Sequence, residues 1–251
     1  SNNSYVAMKS ITKLFVAIAI ANLVHEGLIN YNDNIIKYFP TYKYKNITIL
    51  HILQHTSGLE NKWSYFDEKK GHYVMYPESK NYFDSKNRYD YVLELPQTKK
   101  FGIFNYNNYT YDILCAIIKI ISGVYVDTYM RKIFFNPNKI SIHWSKGYGK
   151  PYGGFGLSIK YSDLHKLNQL IKFLKNIEFE NKQDYQVLTV NNLTMFGHSG
   201  SGGQFMHFSL DKELIIITFS CGDPDNIKLQ DQTNSDDVKN ILKYAMNKSK
   251  T

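Results

Sequence analysis

The densest apolar stretch is residues 10–26, SITKLFVAIAIANLVHE, where apolar side chains fall on nearly every face of a 3.6-residue turn. That pattern predicts a helix buried all round, with Gly27 as its stop. Polar and apolar positions then mix. Residues 33–38 suit a short helix ended by Pro40, and residues 48–54, TILHILQ, suit one or two helical turns. Residues 60–100 are polar, aromatic and rich in Lys, Asp and Asn, and read as a loop-rich lobe. A second buried helix is expected over 109–121, YTYDILCAIIKII, ending at Ser122-Gly123, with another helical stretch over 125–134 closed by Pro137. Gly153, Gly154 and Gly156 mark a tight backbone passage. Ser162 is expected to cap a helix running to about Ile177, with Leu164, Leu167, Leu170, Ile171, Leu174 and Ile177 on one face.

The pattern changes in the last third. QFMHFSL (204–210) and ELIIITFS (213–220) read as two strands joined at Asp211-Lys212. A final helix is expected from Ser235, with Asp236 and Asp237 in its first turn and lysines near its end, both favourable to the helix dipole. The sum is an α+β chain, residues 1–251 as one domain: a helical and loop-rich lobe over about 28–190, then a sheet with a covering helix over about 191–251.

Composition narrows the picture. At 43% apolar residues, the 251-residue chain can bury a large core. The net charge of +8 favours anionic partners such as a wall polymer or a membrane surface, or is simply a solvated basic face. Nucleic acid is not expected, because neither zinc-finger spacing nor an aromatic RNA-binding signature is present. Cys115 lies within an apolar run and, with Cys221, makes no disulfide framework. Neither a metal nor another cofactor is expected, since no Cys/His cluster has ligand spacing. The run Leu14 to Val24 is about half the ~20 residues of a membrane span and reads as core. The sequence starts about ten residues before the first candidate motif, so a leader or anchor is expected upstream.

Three short motifs could carry chemistry. Ser10-Ile11-Thr12-Lys13 is an S-x-x-K, and three residues on a helix bring serine and lysine to one face. A serine hydroxyl needs a base beside it, and lysine serves only when burial or charge lowers its pKa. Alone, the motif reads better as a helix cap with a surface lysine. Tyr106-Asn107-Asn108 is a Y-x-N ahead of the second buried helix. A tyrosine beside a lysine cation is expected to lose its proton more easily, and an asparagine amide can both donate and accept. Alone, it reads as a turn in a chain with 21 tyrosines. His198-Ser199-Gly200, followed by Ser201, Gly202 and Gly203, leads into the late strands. Its small residues would let backbone N–H groups approach an oxyanion, or would merely form a turn.

Taken in order, the three motifs resemble the serine β-lactamase/penicillin-binding-protein family, in its class C β-lactamase, esterase and D,D-peptidase branch. Residues 9–40, the stretch ITILHILQHTSGL (47–59) and the stretch GGFGLSIKYSDLHKL (153–167) are similar to the family's connecting segments, so the resemblance spans most of 7–220. It implies a β-lactamase/transpeptidase-like antiparallel sheet flanked by helices, with a reduced lobe and with the family's first two strands missing or upstream of this chain. Ser10 would be acylated, Lys13 would take or relay its proton, and Tyr106 would shuttle protons to the leaving group and the deacylating water. Asn108 would hold the substrate amide, with His198 and Gly200 lining the site. His198 stands where many relatives carry the lysine of K-T-G. The N–H groups of Ser10 and Ser201 would form the oxyanion hole, and His55 would be structural. The implied function is acyl-enzyme hydrolysis of a peptide, amide or ester bond in a small or cell-wall-type substrate by an extracytoplasmic protein, secreted or anchored. The alternatives are a non-catalytic penicillin-binding-type sensor or anionic-polymer-binding module, and a class C-like β-lactamase.

Overall fold

The computed structural model describes residues 4–67, 69, 72–183, 186–190, 193–201 and 203–219. The helix expected from Ser235 and Cys221 lie outside the described residues. The chain runs β1 (Tyr5–Ala7), a 3₁₀ turn (Lys9–Ile11), α1 (Thr12–His25), a 3₁₀ turn (Ile35–Lys37) and α2 (Ile49–Leu53). The hairpin β2 (Ser64–Asp67) and β3 (His72–Met75) follows, then α3 (Ser79–Asp84), α4 (Arg88–Leu93), α5 (Tyr111–Ser122) and α6 (Val126–Met130), which continues as a π turn to Phe135. Next come β4 (Ile142–Trp144), β5 (Lys146–Gly147), β6 (Lys150–Pro151) and β7 (Leu157–Lys160), a 3₁₀ stretch (Tyr161–Asn168) and α7 (Gln169–Asn176). Two antiparallel hairpins close the described chain, β8 (Val187–Val190) with β9 (Leu193–Gly200), and β10 (Gln204–Ser209) with β11 (Leu214–Thr218).

β9 also pairs with β10, which gives a four-stranded sheet ordered β11-β10-β9-β8; β7 lies between β1 and β4 in a second, three-stranded sheet. One continuous hydrophobic core extends from Met8 through α1, α5 and α6 to Phe208 of β10. Every residue of α1 from Thr12 to Leu23 is buried, as its all-round apolar pattern requires. Gly27 follows at φ 71, a left-handed conformation that costs glycine little and stops the helix. α5 ends the same way, at Gly123 with φ 75. The Met8 N–H donates to the Leu157 carbonyl, and the Leu157 N–H donates to Thr12 Oγ1. β7 therefore fixes both sides of the turn that carries Ser10.

A three-residue strand, β1, precedes Ser10 and joins the small sheet of β7 and β4, not the four-stranded sheet. Three expectations need correction. The 60–100 lobe holds a hairpin and two helices instead of loops. Its short elements pack on an aromatic cluster in which Trp63 meets Tyr82, Phe83, Tyr109 and Phe155, and such clustering leaves no periodic signature. Ser162 caps nothing. The chain enters a 3₁₀ stretch at Lys160, drawn tight because Asp163 accepts from the Ser141 N–H and from Lys166, and α7 begins only at Gln169. His198 and Gly200 lie within strand β9, opposite Met206 and Gln204, and so are not in a glycine-rich turn.

Candidate active site

The 3₁₀ turn that opens α1 holds Ser10 half-buried at the surface, while Lys13, one turn on, is completely buried. Lys9, just before Ser10, sits at φ 50, a strained conformation for a side-chain-bearing residue, held by the turn around it. Lys13 Nζ lies 3.3 Å from Ser10 Oγ and donates to Asn108 Oδ1 and to the Gly154 carbonyl, each at 2.7 Å. Burial holds the lysine pKa well below its ordinary value, and the charge of Asp112 pulls it part of the way back. Lys13 Nζ thus sits among three oxygen partners, Ser10 Oγ, Asn108 Oδ1 and the Gly154 carbonyl, and so is tied directly to the serine.

Tyr106 closes the other side. Its ring centroid lies 4.8 Å from Lys13 Nζ, and its hydroxyl is hydrogen-bonded to Ser10. Burial raises the phenol pKa, outweighing the Ser10 hydrogen bond that lowers it. This reverses the expectation of an easily lost proton: burial works against ionisation of the Tyr106 phenol. His55, itself buried and at φ 56, packs its ring 4.5 Å from that of Tyr106 and accepts the Asn107 N–H at Nδ1. It braces the Y-x-N segment, in keeping with a structural part.

His198 forms the back wall. It is 1% exposed, and its Nδ1 lies 2.6 Å from the Ser199 carbonyl. A carbonyl oxygen only accepts, so Nδ1 carries the proton and Nε2 keeps its lone pair. Burial, with the nearby Lys13 adding to it, depresses the His198 pKa to about 3, so the ring is neutral at ordinary pH. The end of β9 abuts the turn that carries Ser10: a methyl group on Gly200 would come within 3.0 Å of Lys9 Cβ and 3.1 Å of the Met8 carbonyl. Ser201 follows, exposed, in the turn to β10. The structure thus gathers Ser10, Lys13, Tyr106, Asn108 and His198, with Gly200 against the turn that carries Ser10 and Ser201 the exposed residue after it.

Sequence reasoning noticed the glycines at 153 and 154 but not that one supplies a lysine acceptor. A side chain at Gly154 would lie 2.3 Å from the Asn108 carbonyl and one at Gly153 2.5 Å from the Tyr111 carbonyl, so only glycine lets this strap lie against the start of α5. Asp112 and Arg88 were missed as well. An acid inside the apolar run YTYDILCAII was the available signal.

The family described as Beta-lactamase matches residues 1–147. Penicillin-binding protein 4* of Bacillus subtilis (strain 168) is 36% identical over 64 residues, which are 26% of this chain and 14% of that protein's length. Among solved structures, D-amino acid amidase from Ochrobactrum anthropi SV3 superposes with a TM-score of 0.66 at 15% identity, covering 100% of this chain and 86% of that one. FmtA from Staphylococcus aureus superposes with a TM-score of 0.64 at 17% identity, covering 95% and 75%. The antiparallel sheets with flanking helices are the fold these neighbours share, and the sequence match reaches from the chain's start through Ser10, Lys13, Tyr106 and Asn108. The chain belongs to the β-lactamase family of serine-hydrolase-type proteins.

Proposed function

We propose that the protein is a serine hydrolase working through an acyl-enzyme on Ser10, cleaving an amide or ester bond whose acyl part bears no obligatory carboxylate. The observation that carries this reading is the Lys13 amine, buried, held by Asn108 and Gly154, and turned toward Ser10 Oγ. In the first half-reaction Ser10 Oγ attacks the carbonyl carbon while its proton passes to Lys13 Nζ. The resulting oxyanion faces the N–H groups of Ser10 and Ser201. The Tyr106 hydroxyl, bonded to Ser10, passes its proton to the departing amine or alcohol as the C–N or C–O bond breaks, and recovers one from Lys13. In the second half water takes the leaving group's place, gives its proton to the same relay, and releases the acid with Ser10 restored.

The neutral His198 supports the substrate class. A lysine at that place would pair with a substrate carboxylate, whereas an imidazole with a pKa of about 3 offers Nε2 as an acceptor and no charge. Small amides and esters, including D-amino acid amides, fit such a pocket better than acid-ended peptides. D-amino acid amidase and a D-stereospecific amidohydrolase are among the structural neighbours. The +8 charge favours an anionic partner such as a wall polymer or a membrane surface.

The test is intact-protein mass spectrometry after exposure to a fluorescent penicillin, an activated ester and a D-amino acid amide, beside Ser10→Ala. An adduct on the wild type that turns over, and is absent from Ser10→Ala, is the expected result. A stable adduct that never turns over means a sensor, and absence of labelling by every reagent removes the reading.

A further inference from the structure

Lys13 is held by two acceptors, and one of them, the Gly154 carbonyl, is itself held in place by a buried ion pair away from the nucleophile. Arg88 of α4 is 1% exposed, and its Nε donates to Asp112 Oδ2 of α5 at 2.5 Å. The other Asp112 oxygen accepts the Gly153 N–H at 2.6 Å, and Tyr82 donates its hydroxyl to Oδ2 at 2.9 Å. The remaining Arg88 nitrogens donate to the carbonyls of Gly147, Lys150 and Pro151, and its guanidinium lies 4.0 Å from the Tyr152 ring centroid. Arg88 therefore pins the β5–β6 hairpin, and Asp112 pins the next residues of the same strand of chain, Gly153 and Gly154. A fully buried ion pair is a costly way to gain stability, since apolar residues of like volume often serve as well. Its placement here has another consequence: it sets where the Gly154 carbonyl stands and puts a negative charge near the Lys13 amine.

We propose that Asp112, held by Arg88, is a positioning residue for Lys13, anchoring the Gly153–Gly154 strap whose carbonyl holds the amine and setting a carboxylate behind it. The catalytic meaning rests on the acyl-enzyme reading above. The other groups facing Lys13 are Ser10 from the 3₁₀ turn, His55 from the turn after α2, Tyr106 and Asn108 from the loop before α5, Tyr111 from α5 with its ring 5.8 Å away, and His198 from β9. Burial and the charge of Lys13 lower the pKa of both histidines, burial raises that of Tyr106, and Asp112 is the group that opposes the effect of burial on Lys13. Without it, burial alone would leave Lys13 a weaker base.

The test is Asp112→Asn, whose amide oxygen can still accept the Gly153 N–H while the charge is gone. The Lys13 amine is titrated directly through its side-chain carbon signal by NMR, beside the pH profile of Ser10 acylation. The expected result is a Lys13 midpoint, and an ascending limb of the acylation profile, about one pH unit more acidic than in the wild type. A midpoint within 0.2 unit of wild type overturns the inference. Should Asp112→Asn fail to fold because Arg88 is left unpaired, Arg88→Met with Asp112→Asn removes both charges and is expected to move the midpoint in the same direction. A midpoint that shifts in a protein whose Ser10 is never acylated leaves the positioning intact and refutes the hydrolase reading. Acylation with an unmoved midpoint does the reverse.

Discussion

Gly154→Ala tests the lysine clamp through sterics alone. Gly154 does not adopt a left-handed conformation, so alanine carries no backbone penalty there. The new methyl carbon would lie 2.3 Å from the Asn108 carbonyl oxygen, about 1 Å inside ordinary contact, and the obstructing atom is backbone. The strap and the Asn108 segment must separate by roughly that amount. Both acceptors of Lys13 stand on these two segments, so the amine loses its orientation toward Ser10. Misplacement by ~1 Å costs on the order of 10²-fold in rate. Overpacking should cost about 1–3 kcal/mol, or ~2–4 °C of melting temperature for each kcal/mol in a chain of this size. Gly149→Ala is the matched control. At φ 78 with open space around it, it costs roughly 1–2 kcal/mol but touches nothing in the site. Adduct formation followed by mass, with melting curves for both variants, gives the comparison. A folded Gly154→Ala protein that acylates within threefold of Gly149→Ala would refute the clamp.

Three further outcomes are expected. Arg88→Met should destabilise by about 3–5 kcal/mol in urea titration because it leaves Asp112 buried without its cation, and adding Asp112→Asn should recover part of that loss; equal midpoints for single and double variants would contradict the pairing. His198 and His207, both depressed to about 3 by burial, bind protons in the unfolded chain below pH 6.5 but not in the folded one, so stability falls as pH drops from about 6.5 toward 3. At pH 4 each withdraws roughly 3 kcal/mol, and a urea midpoint unchanged between pH 7 and pH 4 would rule this out. His198→Lys should lower KM for a carboxylate-bearing substrate relative to its amide by roughly tenfold, read from paired steady-state kinetics; an unchanged ratio would show that position 198 does not face the substrate.

How much of this was legible in the sequence depends on the range of the interaction. α1 and α5 were readable because their burial is written in consecutive apolar side chains, and Ser10 and Lys13 because one helical turn joins them. Tyr106, Asn108 and His198 had no local sign of relevance; only their order along the chain, in resemblance to a family, singled them out. The strand β9 went unread because both of its faces are covered: Leu193 and Met195 join a small apolar cluster while Phe196 packs on the main core and His198 is buried, which blurs the alternation. Arg88 was illegible for a different reason. A charged residue in a polar stretch reads as surface, and its burial is decided by Asp112, 24 residues later, and by three carbonyls further on.

The burial of α1 on every side also makes chemical reactivity a property of the finished fold. Ser10 and Lys13 are neighbours in any helical turn, including one formed transiently while the chain is still folding. In that state water surrounds the lysine and its amine keeps its ordinary pKa. The downward pull on that pKa arrives only when the rest of the fold has closed over the amine. On the acyl-enzyme reading proposed above, a covalent probe directed at Ser10 therefore counts native molecules alone.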